Sequence, residues 1–142
     1  MNTAVRWTHG MQFSGEGEAG TTITMDARPE HGGVGAGPSP METVLLALGG
    51  CTGMDVISIL QKMRAPLEGL EMRIEADRAE EHPRVFTRIA LEYTFAGSGL
   101  RPDQVGRAVE LSMTRYCSVS AMLKRAAPVT YTWRIVERLG TG

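Results

Sequence analysis

Hydrophobic and polar residues change rhythm several times along this chain, and each change predicts an element. In VRWTHGMQF and TTITMD, within residues 4–26, β-branched and aromatic residues fall near alternate positions, and the glycines of SGEGEAG lie between the two runs. This pattern predicts two or three short antiparallel strands joined as a meander. ARPEHGGVGAGPSP, rich in glycine and proline, predicts a loop. From Ser39 to Arg64 the rhythm becomes helical. Ser39 suits an N-cap, Pro40 the first helical position, and Glu42 the third residue of a capping box. LLALGGCTGMDVISIL then runs apolar on nearly every side, with Asp55 the one formal charge between Glu42 and Lys62. A helix apolar all round is predicted to be buried. Lys62 and Arg64 suit the negative end of the helix dipole, and Pro66 stops the helix.

Past the turn at APLEG, Leu70, Met72, Ile74 and Ala76 alternate with Glu71, Arg73, Glu75 and Asp77, a strand with one wet face. EEHPR turns the chain, and VFTRIALEYTF forms the second strand of a hairpin. Pro102 and Asp103 open a second helix with a stripe of Val105, Ala108, Val109 and Met113. TRYCSVSAMLKRAA breaks and restarts as a short helix near Cys117 or Ser118, Pro128 ends it, and VTYTWRIVE is the last strand. The predicted fold is α+β with antiparallel sheet, a single domain over residues 1–142. One sheet and one further helix leave a helix that is apolar all round partly uncovered. Gly49 and Gly53, a small-xxx-small pair, let another helix backbone approach. The expectation is a homodimer with the long helices in its core.

The chain has 142 residues and a net charge of −1, with 42% hydrophobic residues, as expected of a soluble globular protein. No basic patch dominates, so nucleic acid is not an expected partner. MNTAVRWTHG carries no apolar run of signal-peptide length, and the helix core, interrupted by Asp55, reads as too short for a membrane span. The expected location is the cytoplasm, where a disulfide is catalytic or redox-sensing rather than structural.

Candidate chemistry centres on the two cysteines, Cys51 in the long helix and Cys117 at the later helical break. Free cysteine often simply packs, and the spacing forms neither a C-x-x-C motif nor a zinc pattern. Buried filler and a reactive pair therefore both stand at this point. His9, His31 and His82 are scattered through strand, loop and turn and form no metal constellation. The glycine-rich run at 32–37 lacks the Gly-Lys-Ser/Thr ending of a phosphate loop, so a flexible lead-in to the helix is expected there.

Taken together, GPSPMETVLLALGGCTGMDVISIL and the later YCSVSAML resemble the cysteine segments of the OsmC/Ohr family of osmotically inducible and organic-hydroperoxide-resistance proteins, in its OsmC-like branch. The element order extends the likeness over nearly the whole chain. The resemblance implies antiparallel sheets enclosing a long buried central helix in an intertwined homodimer. It also implies a thiol-dependent peroxidase that reduces organic hydroperoxides. Cys51 matches the peroxidatic cysteine, which becomes a sulfenic acid, and Cys117 the resolving cysteine, which condenses with it to a disulfide. No bound cofactor or metal is implied, only an external dithiol reductant such as a lipoylated protein or thioredoxin.

The nucleophile must be a thiolate, and burial opposes that form, so a nearby cation or oriented donors are needed. In the family an arginine supplies the charge and a glutamate orients it. The glutamate's place corresponds here to Met41, after Ser39-Pro40, with Glu42 one residue on. Arg28, in the loop before the helix, is the candidate arginine. Asp55, four residues after Cys51 on the same helix face, is a candidate to hold an arginine or backbone donor beside the thiol, with Arg115 as its partner. Its alternative use is a purely structural bond between helices. Met41, Met54 and Met122 are candidates to line an apolar pocket for a small apolar hydroperoxide.

Two other functions stay open on the sequence. One is a non-catalytic OsmC-like dimer that binds an apolar ligand or senses thiol stress. The other, independent of the resemblance, is a hot-dog thioesterase with Glu42 as its acid and the cysteines incidental.

Overall fold

The computed structural model describes residues 1–140. They fall into two compact units, Met1–Leu46 and the chain from Ala47 onward. The first holds a three-stranded antiparallel meander of β1 (Ala4–His9), β2 (Gln12–Glu16) and β3 (Thr22–Met25). Register places Val5, Gly15 and Ile23 in one row and Trp7, Phe13 and Met25 in the next. This apolar face is largely open, with Trp7 66% and Ile23 53% exposed.

A loop containing one 3-10 turn, Pro29–His31, leads to helix α1, Pro40–Lys62. Asp26 organises the loop. Its carboxylate accepts the backbone N–H groups of Ala27, Val34 and Ala36 at 2.7, 3.2 and 3.0 Å. The glycines here are required rather than loose: a Cβ on Gly33 would lie 1.9 Å from the Ala27 carbonyl oxygen. A built turn therefore replaces the expected flexible lead-in.

Helix α1 begins and ends much as predicted. Ser39 Oγ accepts the Glu42 N–H at 3.2 Å, one arm of the capping box, while the Glu42 carboxylate lies 3.8 Å from Arg28. At the other end Ala65 N–H bonds Leu60 O and Arg64 N–H bonds Gln61 O, each at 3.0 Å, with Arg64 at φ 56°. This is a Schellman cap with arginine where glycine is usual.

The second sheet is built from β4 (Gly69–Arg78), β5 (Phe86–Ala96) and β6 (Val129–Val136). β4 and β5 form the expected hairpin, but β6 runs parallel to β5, against the expectation of purely antiparallel sheet. The reason lies in the connection. A long crossover carries α2 (Pro102–Leu111), a π-helical turn (Ser112–Tyr116) and α3 (Ser118–Leu123), and a crossover of that kind returns the chain in its original direction. The thioesterase reading rests on a long helix against antiparallel strands, and the parallel β6 departs from that pattern.

Helices cover one face of the second sheet. Gly49 and Gly53 of α1 sit against Ile74 and Met72 of β4, where an added Cβ would meet their side chains at 3.0 and 2.9 Å. Gly106 of α2 similarly admits the Trp133 ring, at 3.1 Å from the ideal Cβ position. The small-xxx-small pair thus lets the chain's own β4 approach closely. The other face is wet and charged, with Arg134 3.5 Å from Glu92 and donating to Thr94.

The expected all-round burial of α1 is not met within one chain. Leu48, Thr52, Val56 and Leu60 are fully buried, but Leu46 is 59% and Met54 76% exposed. A single sheet can cover only one side of a cylinder. By length and composition α1 is also long and apolar enough to cross a membrane, contrary to the expectation from sequence. Its packed face belongs instead to the core of the second unit.

Candidate functional site

The two cysteines come together from separate elements. Cys51 lies in mid-α1 and is half-buried. Cys117 is buried at the junction between the π turn and α3, where its sulfur accepts the Ser120 N–H at 3.4 Å as the N-cap of α3. Both are free, and they are near enough for Cys51 to influence the titration of Cys117. Burial pushes the Cys117 thiol up to about 11, against the Ser120 N–H bond, which favours the thiolate. Hydrogen bonding to Cys51 and the charges of Cys51 and Asp55 add to the rise. Cys117 therefore remains a protonated thiol at neutral pH.

Beside the thiols runs a chain of hydroxyls that sequence reasoning missed. Tyr93 OH lies 2.8 Å from Thr52 Oγ1, Thr52 Oγ1 lies 2.7 Å from Ser112 Oγ, and Ser112 donates to Asp55 Oδ2 at 2.9 Å. The carboxylate only accepts, which sets the direction: Tyr93 donates to Thr52, Thr52 to Ser112 and Ser112 to Asp55. Burial pushes the Tyr93 hydroxyl up to about 12 despite its bond to Thr52, so it stays a donor. Two signals in the sequence could have found this chain. Thr52 interrupts an apolar run directly after Cys51, and Tyr93 carries a hydroxyl on the buried face of β5.

Asp55 is thus held by Ser112 rather than by Arg115, the expected partner. Arg115 is exposed and lies over the Tyr116 ring, 5.5 Å from its centroid. The geometry separates the two because the π turn directs Ser112 inward and leaves Arg115 on the surface. Asp55 also borders a cavity of about 520 Å³, lined by Met54, Ile59, Met63, Leu111 and Tyr116 among others, with Lys62 also on its wall. Met54 borders this cavity, whereas Met122 is 63% exposed on α3. Met41, in the first unit, is half-buried.

Arg28 and Glu42 do pair, both within the first unit. Their atoms are 3.8 Å apart, with side chains 66% and 48% exposed. At that exposure the pair contributes roughly 0–1 kcal/mol to stability. Among the described residues no cluster of three metal-ligating side chains exists.

The chain thus places two free cysteines, one in mid-helix and one after a π turn, in an α+β fold with two three-stranded sheets. The family model for OsmC-like protein matches residues 31–132. The chain is 43% identical to protein YhfA of Escherichia coli K12 over 136 residues, covering 96% of this chain and 98% of that one. It belongs to the OsmC-like family.

Solved structures carry the same fold. A hypothetical protein from Aquifex aeolicus VF5 is 27% identical with a TM-score of 0.83, and 95% of each chain is covered. An organic hydroperoxide resistance protein OsmC from Legionella pneumophila is 17% identical with a TM-score of 0.68, covering 94% of this chain and 96% of that one. The latter likeness is one of fold.

Proposed function

We propose that this chain is a cytoplasmic thiol peroxidase that reduces small apolar organic hydroperoxides as a homodimer. The observation that carries the reading is that α1 and the turn before α3 bring two free cysteines, Cys51 and Cys117, near enough to influence each other. The Cys51 thiolate attacks the O–O bond and becomes a sulfenic acid, and the departing alkoxide takes a proton to leave as the alcohol. The Cys117 thiol then displaces the sulfenic hydroxyl. The S–S bond forms, and the thiol's proton leaves with the hydroxyl as water. An external dithiol, such as that of a lipoylated protein or thioredoxin, returns two electrons and two protons. No bound cofactor is required. Prompt resolution protects Cys51 from oxidation to the sulfinic acid.

Homodimerisation is supported by two uncovered apolar surfaces, the Leu46–Met54 stripe of α1 and the Trp7–Ile23 face of the first sheet. A second copy covering both would remove them from water. Arg28, paired with Glu42, is the candidate activating cation, and the methionine-lined cavity beside Asp55 suits an apolar substrate.

One observation favours a second reading. The family's glutamate position is Met41, and the Arg28–Glu42 pair is exposed, as suits an OsmC-like dimer that binds an apolar ligand or senses thiol oxidation without turnover.

Peroxide-dependent consumption of a dithiol, which only turnover supports, separates the two, and the peroxidase chemistry is tested first. The reduced protein receives one equivalent of cumene hydroperoxide, and free thiols and intact mass are measured beside Cys51→Ser and Cys117→Ser. Peroxidase chemistry predicts rapid loss of both thiols and of two hydrogens in mass, abolished in either variant. Survival of both thiols at near-neutral pH would remove the peroxidase reading and leave the ligand-binding one.

A further inference from the structure

Ser112 occupies a position that links the two cysteines through short paths. It opens the π turn, and its carbonyl oxygen accepts the Cys117 N–H at 2.8 Å, the i to i+5 bond that defines such a turn. Its hydroxyl bonds Thr52, the residue covalently next to Cys51, at 2.7 Å. Its own N–H returns to Ala108 and Val109 of α2, and its hydroxyl proton goes to Asp55. One fully buried residue therefore holds the backbone of Cys117 on one side and the helix turn of Cys51 on the other.

The chemistry of that link is not what simple packing would select. Three buried hydroxyls could be replaced by apolar groups of similar shape at little net cost to stability, since the loss of water contacts offsets most of what their bonds return. Apolar packing tolerates small shifts of one element against another, whereas short hydrogen bonds with a set donor direction do not. The bonded elements here are those that carry the sulfurs. The π turn adds one residue to the helical circuit just before Cys117 and swings it out of the path α2 would have given it.

We infer that Ser112, acting with Thr52, is the positioning residue that sets the separation of the Cys51 and Cys117 sulfurs and hence how readily they join. The inference rests on the reading of these cysteines as a pair that forms a disulfide, and on no particular oxidant. Asp55 serves the same device as the terminal acceptor that keeps the Ser112 proton pointed away from Thr52. Tyr93 lies at the far end of the chain and bonds Thr52 but not Ser112.

The test equilibrates the full-length protein with dithiothreitol redox buffers, traps thiols and measures the oxidised fraction by intact mass. Thermal unfolding of the reduced protein is recorded in parallel. Ser112→Ala and Thr52→Val are expected to lower the equilibrium constant for the disulfide by about tenfold, equivalent to about 30 mV for this two-electron couple. Thr52→Ser, which keeps the hydroxyl, is expected to stay within about twofold of wild type. Thr52→Val is nearly isosteric and keeps the measurement available should Ser112→Ala fold poorly.

Variants that melt earlier but keep the wild-type equilibrium constant would overturn the inference, because a purely structural bond weakens the reduced and oxidised forms alike. A wild-type protein that forms no Cys51–Cys117 disulfide in any buffer would overturn it too. A disulfide that forms in these buffers but not with cumene hydroperoxide would remove the peroxidase reading and leave the positioning role standing.

Discussion

The two sheets of this protein have the same number of strands, three each, and are opposite in condition. In the second, Met72, Tyr93 and Trp133 form one row across β4, β5 and β6 by register, and the helices of its own unit pack on that face. Its outer face is charged and wet. In the first, Trp7, Phe13 and Met25 form an equally apolar row, yet that face stays largely open to solvent. Strand alternation alone does not make a core, since an apolar sheet face is stabilised only when another layer removes it from water. The second unit carries its own covering layer, and the first awaits one, which the proposed homodimer supplies.

Substitutions of like kind in the two sheets should therefore have unlike effects. The largest effect is expected at Tyr93, fully buried beneath the helices. Tyr93→Ala should destabilise the chain by about 3–5 kcal/mol, the usual cost of emptying a buried aromatic site, measured by denaturant unfolding. Wild-type stability in that variant would mean the second sheet is no better packed than the first.

Trp7→Glu is the counterpart in the open sheet. It should leave the far-UV spectrum unchanged and weaken self-association by at least about 100-fold in sedimentation velocity, as expected of a charge set into an interface centre. An unaltered oligomeric state would remove this face from the proposed interface.

A smaller effect, confined to low pH, is expected from Asp26, which secures the loop of the first unit. The Ala36 N–H, with those of Ala27 and Val34, holds its carboxyl below the usual range against the opposing effect of burial. A lowered folded value means the bonds stabilise the protein fully above the ordinary carboxylate range. That stability is lost as pH falls through the folded value. The wild-type melting temperature should thus drop on acidification more steeply than that of Asp26→Asn, and parallel curves would refute the assignment.

The smallest effect is expected in the second unit at Arg64, whose left-handed φ suits glycine better. Arg64→Gly should stabilise by about 1 kcal/mol or less in the same unfolding assay. A loss of stability would show that the arginine side chain contributes more than its backbone strain costs.

Much of the fold is legible in the amino-acid sequence alone. The meander, the span of α1, the β4–β5 hairpin, and the restart of helix at Ser118 all follow from local rhythm and from cap and breaker residues. Each depends on neighbours within a few positions, where period and steric preference act directly. The parallel β6 is not legible there, because strand direction depends on where a long crossover delivers the chain. The glycines of α1 are legible as a close-approach site but not for their partner, which proves to be β4.

The site divides in the same way. The residues around Cys51 and Cys117 mark both as the candidate chemistry, and residue types alone are enough for that. That the two cysteines come near each other, that Asp55 is held by Ser112 rather than Arg115, and that Tyr93, Thr52 and Ser112 form one directed chain are decided only when four elements pack together. Local pattern sets which residues are apolar, capped or turned, because those preferences are written into short stretches of backbone. Distances between residues 41 to 60 positions apart in the chain arise from packing and hydrogen-bond satisfaction in the whole core, which no stretch of the chain contains alone.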